Sequence, residues 1–175
     1  MHALRIVVSV SLIAAASAAN ATVDNMSLPE PIRVPDGHVQ KFWAVGIGEV
    51  TYACREKSDQ AGSYAWTFVA PAATLVDASK KDVGKYYGGP TWESKDGSKV
   101  SGKQVAVSPA TPGNLPLQLV KANQATGNGV MAHLTYIQRL NTVGGIPPSQ
   151  NCDRGNIGQE MKVSYQADYV FYAPR

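Results

Sequence analysis

The sequence predicts an all-β fold, an antiparallel β-sandwich or barrel-like single domain with one disulfide. Three observations lead there. Short runs of alternating apolar and polar residues recur along the chain, each bounded by glycine or proline. No stretch shows a sustained heptad, a repeat or low complexity. Cys54 and Cys152 are the only cysteines, and in an exported chain an even count reads as a disulfide rather than a metal site or a nucleophile.

Export is read from residues 1–21. A weakly basic start (His2, Arg5) precedes an apolar run from Ile6 to about Ala16, then small residues, Ala16-Ser17-Ala18 or Ala19-Asn20-Ala21. That is the pattern of a signal peptide with its cleavage site, and its apolar run falls short of the ~20 residues that span a bilayer. The expected location is therefore secreted or periplasmic, with no membrane insertion after cleavage. The remainder is long enough for one domain with a core. A net charge of +3, one less once Arg5 leaves, offers no field for nucleic acid or an anionic membrane.

Residues 22–40 are polar and carry Pro29, Pro31 and Pro35. Proline fixes φ and removes a donor, so an extended Pro-rich arm outside the core is expected. Residues 41–175 then form the β-rich domain. Lys41–Val45 begins the sheet, and Glu49–Arg55 continues it with Val50, Tyr52 and Cys54 on one face. Gly46 and Gly48 resemble half of a dinucleotide fingerprint. Thr51 holds the third glycine position and a strand follows, so no such cofactor, and no other, is expected.

Tyr64, Trp66 and Phe68 alternate until Pro71 ends the run. Ala72–Val76 reads as a short turn or strand, and residues 77–84 as a polar loop. Residues 88–102 read as a β-hairpin, with Trp92 and Glu93 on the first strand, Asp96-Gly97 at the turn and Val100 on the return. Lys103–Val107 is strand-like. Pro116 places the alternating leucines 115, 117 and 119 at an edge or bulge. Residues 123–129 read as a loop or a weak helix end; Val130–Leu140 has both strand alternation and some helical character, and its β-branched and aromatic content favours a strand. In the last run, Val163, Tyr165, Ala167, Tyr169 and Phe171 face one way.

The densest functional group is Tyr86, Tyr87, Trp92, Glu93 and Asp96. Tyr86, Tyr87 and Trp92 make an aromatic platform for a sugar ring or other flat ligand, unless Trp92 fills the core and the tyrosines cover its edge. Arg139 offers a carboxylate or phosphate a bidentate partner, or else forms an ion pair with Glu93 or Asp168. Glu93 and Asp96 are the weak catalytic candidates: a close carboxylate pair raises one pKa and makes a general acid. Against that, Asp96 can bond its own turn and Glu93 a nearby Lys or Arg139. His38 and His133 lie far apart with no ligand-spaced partner, so no metal site is expected.

Several stretches together carry a resemblance: PIRVPDGH (31–38), GEVTYAC (48–54), WTFVAPAATLVD (66–77), GGPTWESKDGS (88–98), YIQRLNTVGG (136–145), Cys152 and SYQADYVFY (164–172). With these the chain resembles an exported bacterial and fungal family, domain of unknown function 3455 (DUF3455). The resemblance implies export and a single β-rich domain, and brings no established activity.

Three functions stay open. The first is a binding or interaction module for a carbohydrate, another small ligand or a protein partner, using Tyr86, Tyr87, Trp92 and Arg139. The second is a secreted hydrolase using Glu93 and Asp96. The third is a scaffold without a small ligand.

Overall fold

A computed structural model describes residues 22–175; the expected signal peptide, 1–21, lies outside them. Eight strands follow in order: β1 (His38–Glu56), β2 (Tyr64–Val76), β3 (Asp82–Tyr87), β4 (Thr91–Ser94), β5 (Lys99–Ser108), β6 (Leu117–Ala122), β7 (Tyr136–Gly144) and β8 (Glu160–Pro174). Each pairs antiparallel with the next, and β8 returns to pair with β1, from Ala53↔Glu160 to His38↔Pro174. Of the two architectures expected, the chain takes the closed barrel, which leaves no sheet edge to protect.

Period-2 patterning puts alternate residues inside. Trp92, Ile137, Ala167, Tyr169 and Phe171 are fully buried there. Trp92 stacks on Tyr86 with ring centroids 5.1 Å apart and meets Tyr169 edge-on at 5.4 Å. The two glycines that imitate a dinucleotide fingerprint serve packing. A Cβ on Gly46 would lie 2.7 Å from Cε2 of Tyr169, and one on Gly48 would lie 2.0 Å from the Ala72 carbonyl oxygen. They let one 19-residue strand run through the two separate runs read from sequence.

Proline also proved less disruptive than expected. β2 continues through Pro71, which pairs with Val50. The ladder from β2 to β3 begins only at Ala72↔Tyr87, so Pro71 has a strand neighbour on one side and its missing donor is tolerated.

The Pro-rich arm is a correction. Ile32 is 0% and Val34 5% exposed, packed on the outer wall against Leu119, Leu140, Val170 and Tyr172. Two short 3-10 turns, Asn25–Ser27 and Glu30–Ile32, fold the segment. Gln138, itself fully buried, donates from Nε2 to the Ile32 carbonyl at 2.7 Å and accepts from the Tyr172 hydroxyl at 2.8 Å. Prolines remove backbone donors, but they do not stop side chains from covering an apolar wall.

A second correction concerns Val130–Leu140. β7 starts only at Tyr136, and His133 has φ +62°, incompatible with a strand. The segment before it turns inward and plugs one barrel end with Met131 and Leu134. It is anchored by the hairpin turn 95–98: the Val130 amide donates to Asp96 Oδ2 at 2.8 Å and the Met131 amide to Ser98 Oγ at 3.1 Å.

At the other end, Cys54 and Cys152 form the expected disulfide, Cα atoms 5.5 Å apart and 98 residues apart in sequence. Among the described residues no helix is long and apolar enough to cross a membrane. The outer wall carries the ion pairs Glu49–Lys162 and Lys85–Glu93, while the interior is built on an apolar cluster around Trp92 and Phe171. That is the inverse of a membrane-spanning barrel.

Candidate functional site

The barrel end opposite the Met131 plug opens into a cavity of about 340 Å³. Its walls include Phe68, Pro71, Pro90 and Leu115, and its polar groups are Tyr86, Gln104, Gln118 and Arg139. Three register shifts lie toward this end, at Thr51/Tyr52, Gln104/Ala106 and Leu140/Val143. Bulges at a barrel rim bend strands outward and re-aim side chains, and here Val69 and Val105 are turned to solvent beside the opening.

Arg139 sits on β7, opposite Gln118 on β6 and Tyr169 on β8. Its parity matches the core residue Ile137, so the guanidinium enters the barrel. Nε and Nη2 both donate to the Pro116 carbonyl, at 3.2 and 2.9 Å. Pro116 precedes β6, and its loop is tied to β7: Thr142 Oγ1 donates to the Leu115 carbonyl, and the Gly144 amide to Asn114 Oδ1 at 2.7 Å. The proline expected at an edge thus presents a fixed acceptor to the arginine.

Tyrosines surround this charge. The Tyr165 and Tyr169 hydroxyls are 2.6 Å apart, Tyr86 bonds to Tyr169, and Arg139 lies close enough to interact with Tyr86 and Tyr165. Burial pushes the phenols of Tyr86, Tyr165 and Tyr169 up, against a smaller downward pull from Arg139. They are neutral donors at ordinary pH. Tyr52, also raised by burial, donates to the Gly145 carbonyl at 2.7 Å.

The expected aromatic platform does not assemble. Tyr86 and Trp92 point inward, and Trp92 is wholly enclosed, its Nε1 without a partner among the described residues. Tyr87 faces the outer wall, where its hydroxyl donates to Glu93 Oε2 at 2.8 Å. Of that group, only Tyr86 and Arg139 meet at the mouth.

Nor do Glu93 and Asp96 form a carboxylate pair. Glu93 is held below the usual carboxylate range by Tyr87 and then by Lys85, 3.2 Å away. Asp96 drops to about 2, chiefly through the Ser98 hydroxyl at 2.6 Å and then the Val130 amide. A general acid needs the opposite shift. Arg139 joins neither expected partner: Asp168 instead accepts from Asn141 at 2.7 Å. His38 bonds the Pro35 carbonyl and packs edge-on against Tyr136. Among the described residues no group of His, Cys, Asp and Glu is arranged to hold a metal.

A larger hollow of about 770 Å³ lies at the plugged end, over Phe42, Leu75, Val83 and Met131. Size alone favours it. Its carboxylates, however, already have partners: Asp82 pairs with Lys95 at 2.7 Å, Asp77 caps its own loop through Ser79 and Lys81, and Asp96 holds the plug. Its other lysines, Lys41 and Lys81, are exposed, whereas the cation of the smaller mouth is half-buried with no carboxylate partner among the described residues, so the mouth is preferred.

Sequence reasoning passed over Tyr52, Tyr165, Tyr169, Gln104 and Gln118 as site residues. Their inward parity was visible for Tyr52, Tyr165 and Tyr169. Their convergence on Arg139 depends on the closure of β8 on β1 and β7, which no local pattern encodes.

Fold and site define a class: an eight-stranded up-and-down β-barrel, plugged at one end, with an inward arginine among tyrosines at the other. The model of the family described as protein of unknown function, DUF3455, matches residues 35–173, and the chain belongs to that family. No curated protein and no solved structure matches it.

Proposed function

We propose that the protein is an exported binding module that takes a small ligand into the barrel mouth. The observation that carries this reading is the mouth itself, where Tyr86, Gln104, Gln118 and Arg139 converge within apolar walls. Barrel mouths are common ligand sites, and a few polar groups on an apolar lining fix a ligand's orientation. Its volume of about 340 Å³ lies at the small end of the ~300–1,000 Å³ range of such sites. The disulfide supports export, since such bridges persist in oxidising compartments.

The test is a ligand panel on the oxidised, processed protein, spanning sugars, neutral one-ring compounds and small organic acids. Binding at ~100 times the dissociation constant adds ~2.7 kcal/mol, a rise in Tm of roughly 5–10 °C at this size. The hit should shift the amide NMR signals of Phe68, Leu115 and Gln118. A panel that moves neither Tm nor those signals removes the reading.

A further inference from the structure

We infer that the ligand of this mouth is a small organic monocarboxylate with a single flat ring or similarly compact apolar body, its carboxylate seated on Arg139. This rests on the binding-module reading and names its ligand class. The first support is charge. Arg139 is partly buried, yet among the described residues no carboxylate pairs with it; its acceptors are neutral, the Pro116 carbonyl and the Tyr86 and Tyr165 hydroxyls. A half-buried charge gains from a counter-charge, and a carboxylate supplies one to a guanidinium.

The second support is donor count. Arg139 has five N–H groups and gives two to Pro116. Tyr86, Tyr165 and Tyr169 have three hydroxyl hydrogens, and the Tyr86–Tyr169 and Tyr165–Tyr169 bonds use two. Tyr86 and Tyr165 also accept from the guanidinium, which leaves one hydroxyl hydrogen and one guanidinium hydrogen for an acceptor, and acceptor oxygens are what a carboxylate supplies.

The third is what the lining lacks. Among the described residues no lysine lines the cavity, so a phosphate dianion would leave charge unmatched where a monocarboxylate does not. Gln118 Nε2 donates to Gln104 Oε1, which leaves the Gln104 amide hydrogens and the Gln118 carbonyl for a hydroxyl on the ligand's far side. Phe68, Pro71 and Leu115 provide the apolar surface for its body.

Matched probes test this on the unaltered protein. 4-Hydroxybenzoate and cyclohexanecarboxylate are titrated calorimetrically beside 4-hydroxybenzamide and inorganic phosphate, with the mouth amides followed by NMR. We expect one of the acids to bind at least tenfold tighter than the amide and phosphate. Arg139→Gln should erase that preference while the barrel still melts cooperatively. An amide that binds the mouth as well as the acids overturns the carboxylate inference and leaves the binding reading standing. Phosphate that displaces the acids also overturns it. If no probe shifts the mouth signals while another compound of the wider panel does, the ligand class is wrong; if nothing does, both readings fall.

Discussion

Gln138 and Arg139 are consecutive on β7 and serve opposite sides of the barrel wall. The pleat sends Gln138 out, beneath the N-terminal arm, and Arg139 in, toward the mouth. One dipeptide therefore fixes the arm and presents the charge of the candidate site, and the two roles separate by mutation.

Gln138→Ala should loosen the arm without disturbing the mouth. It removes the bonds to Asn25, Ile32 and Tyr172, and buried groups left without partners cost about 1–3 kcal/mol. Hydrogen exchange should speed up at Val34, whose amide bonds Asn25, and proteolysis should begin within residues 23–34. The amide signals of Leu115 and Gln118 should hold still.

Gly48→Ala should damage the barrel wall itself. The added methyl meets the Ala72 carbonyl at 2.0 Å, so β1 and β2 must part locally, a loss of at least the ~1–3 kcal/mol typical of overpacking. Gly88→Ala is the control, because its Cβ comes only to 3.4 Å from Ala70 Cβ, and it should stay within about 0.5 kcal/mol of the parent. Urea melts of both variants check this.

Trp92→Ala should cost about 3–5 kcal/mol, the usual penalty for emptying the site of a fully buried aromatic. Trp92→Phe should cost less, because it keeps most of the ring contacts and deletes an Nε1 that has no partner among the described residues. A binding signal lost in Trp92→Ala would therefore report a damaged core rather than a lost ligand contact. Thermal melts rank the three proteins.

The plug should release in acid. The Asp96 carboxyl titrates near 2 when folded, held down first by Ser98 and then by the Val130 amide. A folded pKa below the unfolded one gives stability that is present above the ordinary aspartate value and lost as pH falls toward about 2. Between roughly pH 4 and 2, exchange at Val130 and Met131 should rise before the strands melt. Asp96→Asn, which can set an amide group against the Val130 N–H, should loosen the plug at neutral pH and remove this acid step.

Much of this molecule was written locally. The Asp96-Gly97 turn, the alternation of β8 and the pairing of two lone cysteines each depend on neighbouring residues or on simple arithmetic. The arm was not legible, because its burial rests on Gln138, which lies 106 residues from Ile32. The plug was missed for a different reason. Val130, Met131 and Leu134 are as apolar as a strand, and only the left-handed His133 and the anchoring Asp96 distinguish them from one. The site fell between these cases: Arg139 and Tyr86 stood out by chemistry, whereas the other tyrosines acquire their role from barrel closure.

The meeting of β1 and β8 also decides how the barrel faces its surroundings. The Arg175 amide donates to the Gly37 carbonyl at 3.0 Å, and the Val23 amide to Gln40 Oε1 at 2.9 Å. Both ends of the described chain thus gather at the plugged pole, opposite the mouth into which the arginine reaches. A tether joined to either end would hold the barrel like a cup by its base, with its opening turned toward whatever diffuses past.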